Sequence, residues 1–126
     1  MRLLVAGLAM LIVITLLCVA NQMYLKACLE AVISDIDMIV EDVLKEEWES
    51  ASEKMTSVLN TWFEKKWYYM SVMLHDHIDD AEAAMIELRS HIDLQSLSEA
   101  EKAAKQVQVR LQQMIFEETL SLANLF

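Results

Sequence analysis

The side chains best suited to chemistry cluster just past the middle of the chain: His75, Asp76, His77, Asp79 and Asp80. Imidazole nitrogens and carboxylate oxygens are common metal ligands, and His75 and Asp79 have the i, i+4 spacing that places two side chains on one helix face. His77 points to another side, and His91 is isolated from the cluster. Because only two ligands converge, we expect a helix start with exposed side chains, and neither a metal nor a cofactor.

Motifs for catalysis are missing from the sequence. It contains no HExxH, no Cys/His quartet, no Glu-x-x-His pair, no nucleophile elbow and no dinucleotide fingerprint. The single glycine, Gly7, argues against a phosphate-binding loop. Cys18 and Cys28 lie ten residues apart on one predicted helix, roughly 15 Å, which is too far for a disulfide. We therefore predict no catalytic residues and no enzymatic activity.

Aromatic and large apolar side chains form a candidate interaction patch. Such residues concentrate at binding hot spots and at the depth of lipid headgroups. Packing into the core is the competing interpretation, but the aromatic residues spread over more than one helix face. The candidate patch comprises Trp62, Phe63, Trp67, Tyr68, Tyr69, Leu122, Leu125 and Phe126.

The elements that position these residues are helices, because a chain with no proline and one glycine lacks the usual breakers. Apolar residues recur in steps of four and three, a heptad seam: Leu25, Leu29, Val32, Ile36, Ile39 and Val43. No breaker separates this seam from the apolar residues before it. The pattern predicts one continuous helix from residue 3 to about residue 47.

Three further amphipathic helices follow. Ser50 and Glu53 have capping-box spacing and predict a helix over 51–75, and Ser98 and Glu101 repeat the signal for the last helix. The helix between them begins at the aspartate cluster and spans about 15 residues, and the last helix is expected to fray near Glu118 into an apolar tail. Short connections favour an antiparallel bundle of about four helices, an all-α fold over residues 21–126. The helix lengths place the tail beneath this bundle.

Residues 1–20 read as a transmembrane anchor. An uncharged run over 3–20 would span about 27 Å as a helix, close to the thickness of a bilayer core. Arg2 precedes the run, which places the N-terminus in the cytoplasm and the remainder outside. Small residues at positions 18 and 20 leave a cleaved signal peptide, cut before Asn21, as the alternative. We favour the uncleaved anchor because the run is long and the helical pattern continues through Asn21.

The net charge of −10 bears on partners. A chain with 20 acidic and 10 basic side chains and no basic stripe repels phosphate backbones, which excludes nucleic acid as a natural partner.

Short motifs along the chain resemble the domain-of-unknown-function family 4363, small helical proteins of spore-forming Gram-positive bacteria. The motifs are Trp62-x4-Trp67, a turn with His75, Ile78 and Asp79, and a closing Ser-Leu-x-Asn-Leu-Phe over residues 121–126. The resemblance covers most of the chain. It implies an N-terminal apolar segment and a bacterial envelope setting, and it implies no activity.

Two functions remain open at this point. The first is a membrane-anchored structural or interaction protein of the cell envelope, which uses its bundle and heptad seam to engage a protein partner or a second copy. The second is a small ligand-sensing ectodomain that works through a membrane partner, since only Met1 and Arg2 would remain in the cytoplasm.

Overall fold

The computed structural model describes residues 1–125, without the side chains of Leu122 and Leu125. Phe126 therefore lies outside the described residues, as do those two side chains of the candidate patch. Four α-helices follow one another, and no strand occurs within the described part. Their bounds are α1 Arg2–Leu44, α2 Trp48–Val72, α3 His75–Asp93 and α4 Leu97–Leu125.

The helices form an up-and-down bundle in which α1 contacts α2 and α4, and α3 contacts the same two helices. All six residues of the heptad seam in α1 are buried, as the spacing predicts. On α3 the buried residues are Ile78, Ala81, Met85, Leu88 and Ile92. A stripe of apolar residues on each helix faces one shared core, which confirms the all-α bundle.

Helix α1 runs unbroken from the apolar residues 3–20 into the core of the bundle. Its most apolar 18-residue window has a mean hydropathy of 3.0 and none of its residues is buried. Residues from Leu25 onward are buried at the seam positions. One helix therefore contains a segment long and apolar enough to span a membrane and a segment that packs in the bundle.

The α1–α2 and α3–α4 connections lie at the end of the bundle away from residues 3–20. Each contains a left-handed residue that the sequence did not predict. Glu46 and Gln95 adopt left-handed φ values of 57° and 53°. The Glu47 N–H donates to the Asp42 carbonyl at 2.9 Å and the Glu46 N–H to the Val43 carbonyl at 3.0 Å. This pattern is a Schellman motif, in which glycine is the usual left-handed residue.

The predicted capping boxes are wrong, because α2 and α4 begin earlier than the serines require. Helix α2 starts at Trp48, with no side-chain cap, so Ser50 lies in its first turn. Helix α4 starts at Leu97, and the Ala100 N–H already bonds to the Ser96 carbonyl, so Ser98 lies in the first turn. The left-handed residues, not the serines, set these boundaries.

Helices α3 and α4 are also longer than predicted. Helix α3 has 19 residues and begins at His75, and α4 has 29 residues and continues to Leu125. The expected fraying near Glu118 is therefore wrong. No proline or glycine follows Glu118, so nothing in the backbone ends the helix there.

Candidate functional site at the lower end of the bundle

We call the end of the bundle nearest residues 3–20 the lower end and the opposite end the upper end. Side-chain contacts between the helices show which residues lie at the same level along the bundle axis at this end. The Gln22 amide donates to Glu118 at 3.1 Å, and the Tyr68 hydroxyl donates to the Asn21 side chain. His77 Nε2 lies 2.6 Å from a Glu117 oxygen. All four helices therefore meet close to the point where α1 leaves the bundle.

The five aromatic residues of the candidate patch that lie on α2 do not form one surface. Trp62 and Tyr69 are fully buried, with ring centroids 4.8 Å apart. The Trp62 indole N–H donates to Glu82 at 3.3 Å, and Lys66 pairs with the same carboxylate at 2.9 Å. Core packing, the competing interpretation, therefore accounts for these two rings.

Tyr68 is half-buried against α1. Its ring packs edge-on against Tyr24 with centroids 5.4 Å apart, and its hydroxyl reaches Asn21. Lys65 lies on the same side of α2, 3.6 Å from the sulfur of the buried Cys28. These contacts tie the lower half of α2 to α1.

Phe63 and Trp67 remain on the surface, where they belong to a longer apolar stripe. Phe63 is 49% exposed, Trp67 71%, Met70 40% and Leu74 70%. Steps of four and three place Phe63, Trp67 and Met70 on one line along the outer face of α2, and Leu74 follows in the connection to α3. We call these four residues the α2 stripe. Met70 and Leu74 were missed from the sequence, although the same spacing pointed to Met70.

A small cleft separates α1 from α4 at this end. It is a half-open groove with room for about 150 Å³, and its apolar lining includes Leu25, Leu29, Ile115 and Val19. Gln22, Lys26 and Glu118 contribute polar groups to the lining. An apolar cavity of that volume holds a group about the size of benzene.

The candidate metal cluster is dispersed over the start of α3. His75, Asp76, Asp79 and Asp80 are exposed, while His77 is half-buried and paired with Glu117. Within the described residues, no three His, Cys, Asp or Glu side chains are placed to hold one metal ion.

The most buried charged group lies at the upper end. The Asp42 carboxylate accepts hydrogen bonds from Ser50 and from Lys54, each at 2.8 Å. The hydrogen bond from Lys54, followed by that from Ser50, lowers the pKa of Asp42 below its ordinary value. The same contact raises the pKa of Lys54. This cluster joins the end of α1 to the start of α2.

The heptad seam of α1 is not available to a partner, contrary to the sequence interpretation. Its six residues are buried against the chain's own core. The seam serves the intramolecular bundle, and the exposed apolar surfaces include the α2 stripe and residues 3–20.

A comparison with known families covers the region just described. The family profile for the domain of unknown function DUF4363 matches residues 19–125. The chain belongs to this family. The match extends over all of α2 and α3 and the bundle part of α1, and it begins at the end of the apolar segment. No curated protein and no solved structure matches the chain.

Proposed function

We propose that this DUF4363 protein is a non-catalytic, membrane-anchored structural or interaction protein of the bacterial cell envelope. Residues 3–20 of α1 cross the cell membrane once, with the N-terminus in the cytoplasm and the bundle on the outer side. The observation that supports this most is the continuity of α1. An uncovered apolar segment joins a buried core helix without a break, so lipid is the natural environment of that segment.

The same continuity argues for an uncleaved anchor. A signal peptidase would cut before Asn21, within an α-helix whose next residues are engaged in the bundle. Asn21 accepts the Tyr68 hydrogen bond, and Gln22 donates to Glu118. Cleavage after folding would need this part of α1 to unwind from α2 and α4.

The proposed contact with a protein partner uses the α2 stripe. It lies on the opposite side of the bundle from α4, because α2 and α4 each contact α1 and α3. Aromatic residues with large exposed areas are typical of binding hot spots. The stripe runs downward toward the level of Asn21, so it suits a helix that rises from the same membrane, in a second copy or in another envelope protein.

Site-specific photo-crosslinking in native membranes tests this contact. A benzophenone amino acid at Phe63 should capture a discrete protein partner or a second copy. The same group at Glu53, an exposed residue higher on α2, is the matched control and should capture much less. Equal yields at both positions, or crosslinks to lipid alone at Phe63, would contradict the proposal.

The cleft between α1 and α4 favours a second candidate, the ligand-sensing ectodomain. Its volume limits the ligand to a small apolar or amphipathic group. Thermal unfolding in lipid nanodiscs with benzene or indole as probes tests this function. Stabilisation that disappears when Met23, which lines the cleft, is replaced by Trp would support sensing, and unchanged melting would count against it.

A further inference from the structure

Three segments of the chain contain no charged side chains where they reach the lower end. Helix α1 has none between Arg2 and Lys26, and α4 has none after Glu118. Helix α2 and its connection to α3 have none over residues 67–74, between Lys66 and the start of α3. The acidic surface that covers the rest of the bundle therefore stops here on α1, α2 and α4, while α3 begins with the exposed Asp76, Asp79 and Asp80 close to the level of Glu117.

These uncharged parts begin at nearly the same height. Glu118 of α4 bonds to Gln22 of α1, and Glu117 bonds to His77 near the start of α3. The uncharged α4 residues therefore extend downward from Gln22, the height at which α1 leaves the bundle. The seven residues after Glu118, residues 119–125, extend about 10 Å as a helix. The end of α4 thus runs beside the apolar segment of α1.

Little within the described protein covers this end. Thr119, Leu120, Ser121, Ala123 and Asn124 are all exposed, and so is Leu74 in the connection between α2 and α3. Trp67 and Tyr24 lie slightly higher and are more than half exposed. Tryptophan and tyrosine are the residues enriched at the water–lipid boundary.

We propose that the lower end of the bundle enters the outer leaflet of the membrane, with residues 119–125 of α4 as a second lipid-embedded element beside the anchor. The proposal rests on the proposed function, since residues 3–20 must cross the membrane for this height to be that of lipid. Leu74 reaches the same layer at the tip of its connection, and Trp67 and Tyr24 lie among the headgroups. Glu117 and Glu118 stay in water above it.

The depth agrees with what a helix end can tolerate. Amphipathic helices that lie in the plane of the interface bury their apolar face about 5–10 Å into the boundary between headgroups and acyl chains, and residues 119–125 reach a similar depth end-on. The last four carbonyls of a helix lack intrahelical partners. At this depth interfacial water and headgroups satisfy them, and the side chains of Ser121 and Asn124 add polar groups near the helix end.

Spin labelling of the full chain in phospholipid vesicles tests the inference. Both native cysteines are replaced by alanine, and single nitroxides are placed at Val13, Asn124 and Lys102. Collision with oxygen reports lipid, and collision with a water-soluble nickel complex reports water. We expect the oxygen-to-nickel ratio at Asn124 to exceed that at Lys102 several-fold, and the ratio at Val13 to be the highest.

The three labels separate the inference from the function on which it rests. Lipid at Val13 with water at Asn124 overturns the inference and leaves the anchor intact. Water at Val13 overturns the anchor, and the inference with it. Protection of Asn124 from both reagents means that another protein copy covers it, which also overturns the inference.

A substitution pair provides a second readout. Leu120→Asp should move the label at Asn124 toward water, because a carboxylate resists entry into the leaflet. Val109→Asp, on the same helix and similarly exposed, at 47% against 46%, should leave that label unchanged. An unchanged ratio at Asn124 in Leu120→Asp would contradict embedding.

Discussion

Two tryptophans five residues apart on α2 should differ sharply in their contribution to stability. Trp62 is fully buried and Trp67 is 71% exposed. The two substitutions Trp62→Ala and Trp67→Ala therefore remove the same chemical group from one helix, one from the core and one from the α2 stripe. Trp67→Ala serves as the matched control for Trp62→Ala.

The magnitude for Trp62 follows from its surroundings. Replacing a buried tryptophan by alanine costs about 3–5 kcal/mol through lost burial and the cavity left behind. The lost indole hydrogen bond adds little, because Lys66 still pairs with Glu82 at 2.9 Å. An exposed side chain away from such contacts changes the free energy of unfolding by about 0.5 kcal/mol or less. The difference of about 2.5–4.5 kcal/mol corresponds to roughly 10–36 °C in Tm for a domain of this size, at about 4–8 °C per kcal/mol.

Far-UV circular dichroism during heating, on the full chain in detergent micelles, measures both changes. Intrinsic fluorescence gives an independent readout, since loss of Trp62 should remove the more blue-shifted part of the emission. A Trp62→Ala protein that melts within a few degrees of Trp67→Ala would refute the assignment of Trp62 to the core.

Three further predictions concern the upper end and the contact between α1 and α2. The lowered pKa of Asp42 stabilises the fold at neutral pH, and this contribution should be lost as the pH falls below about 4. Thermal melting measured against pH should show this loss in the native chain and not in Asp42→Asn. Ser50→Ala should cost about 1 kcal/mol through its bond to Asp42, so a double-mutant cycle measured by denaturant unfolding should give no further loss in an Asp42→Ala background, which lacks the acceptor. Gln95→Gly should stabilise the fold by about 1 kcal/mol in the same assay, since glycine adopts a left-handed φ without the penalty of a side chain. A loss of stability would contradict the left-handed conformation of Gln95.

The periodic spacing of apolar residues predicted most of the fold. The 4-3 steps of the seam in α1 and of Ile78, Ala81 and Met85 in α3 identified buried faces, because a helix core requires that spacing. Helix boundaries were harder to predict. Glycine is the usual residue at the left-handed position that ends a helix. Here Glu46 and Gln95 occupy that position, so no residue type in the sequence indicated where α1 and α3 end.

The candidate site was predictable in part for a related reason. Aromatic content flagged the lower half of α2, but content alone does not separate a core face from a surface face. Phe63, Trp67 and Met70 lie on the outward face of α2. Trp62 and Tyr69, seven residues apart, lie on the face that packs into the core. The hydrogen bond between Gln22 and Glu118 joins residues 96 positions apart, and no sequence pattern predicts it.

The state of α1 in the cell membrane tests the central claim most directly. Membranes are washed with alkaline carbonate, and the retained protein is analysed by N-terminal sequencing and intact mass. We expect one chain that carries residues 1–20 together with the bundle and resists the wash. A chain that begins at Asn21 and appears in the wash would show that the apolar segment is a cleaved signal and would contradict the account.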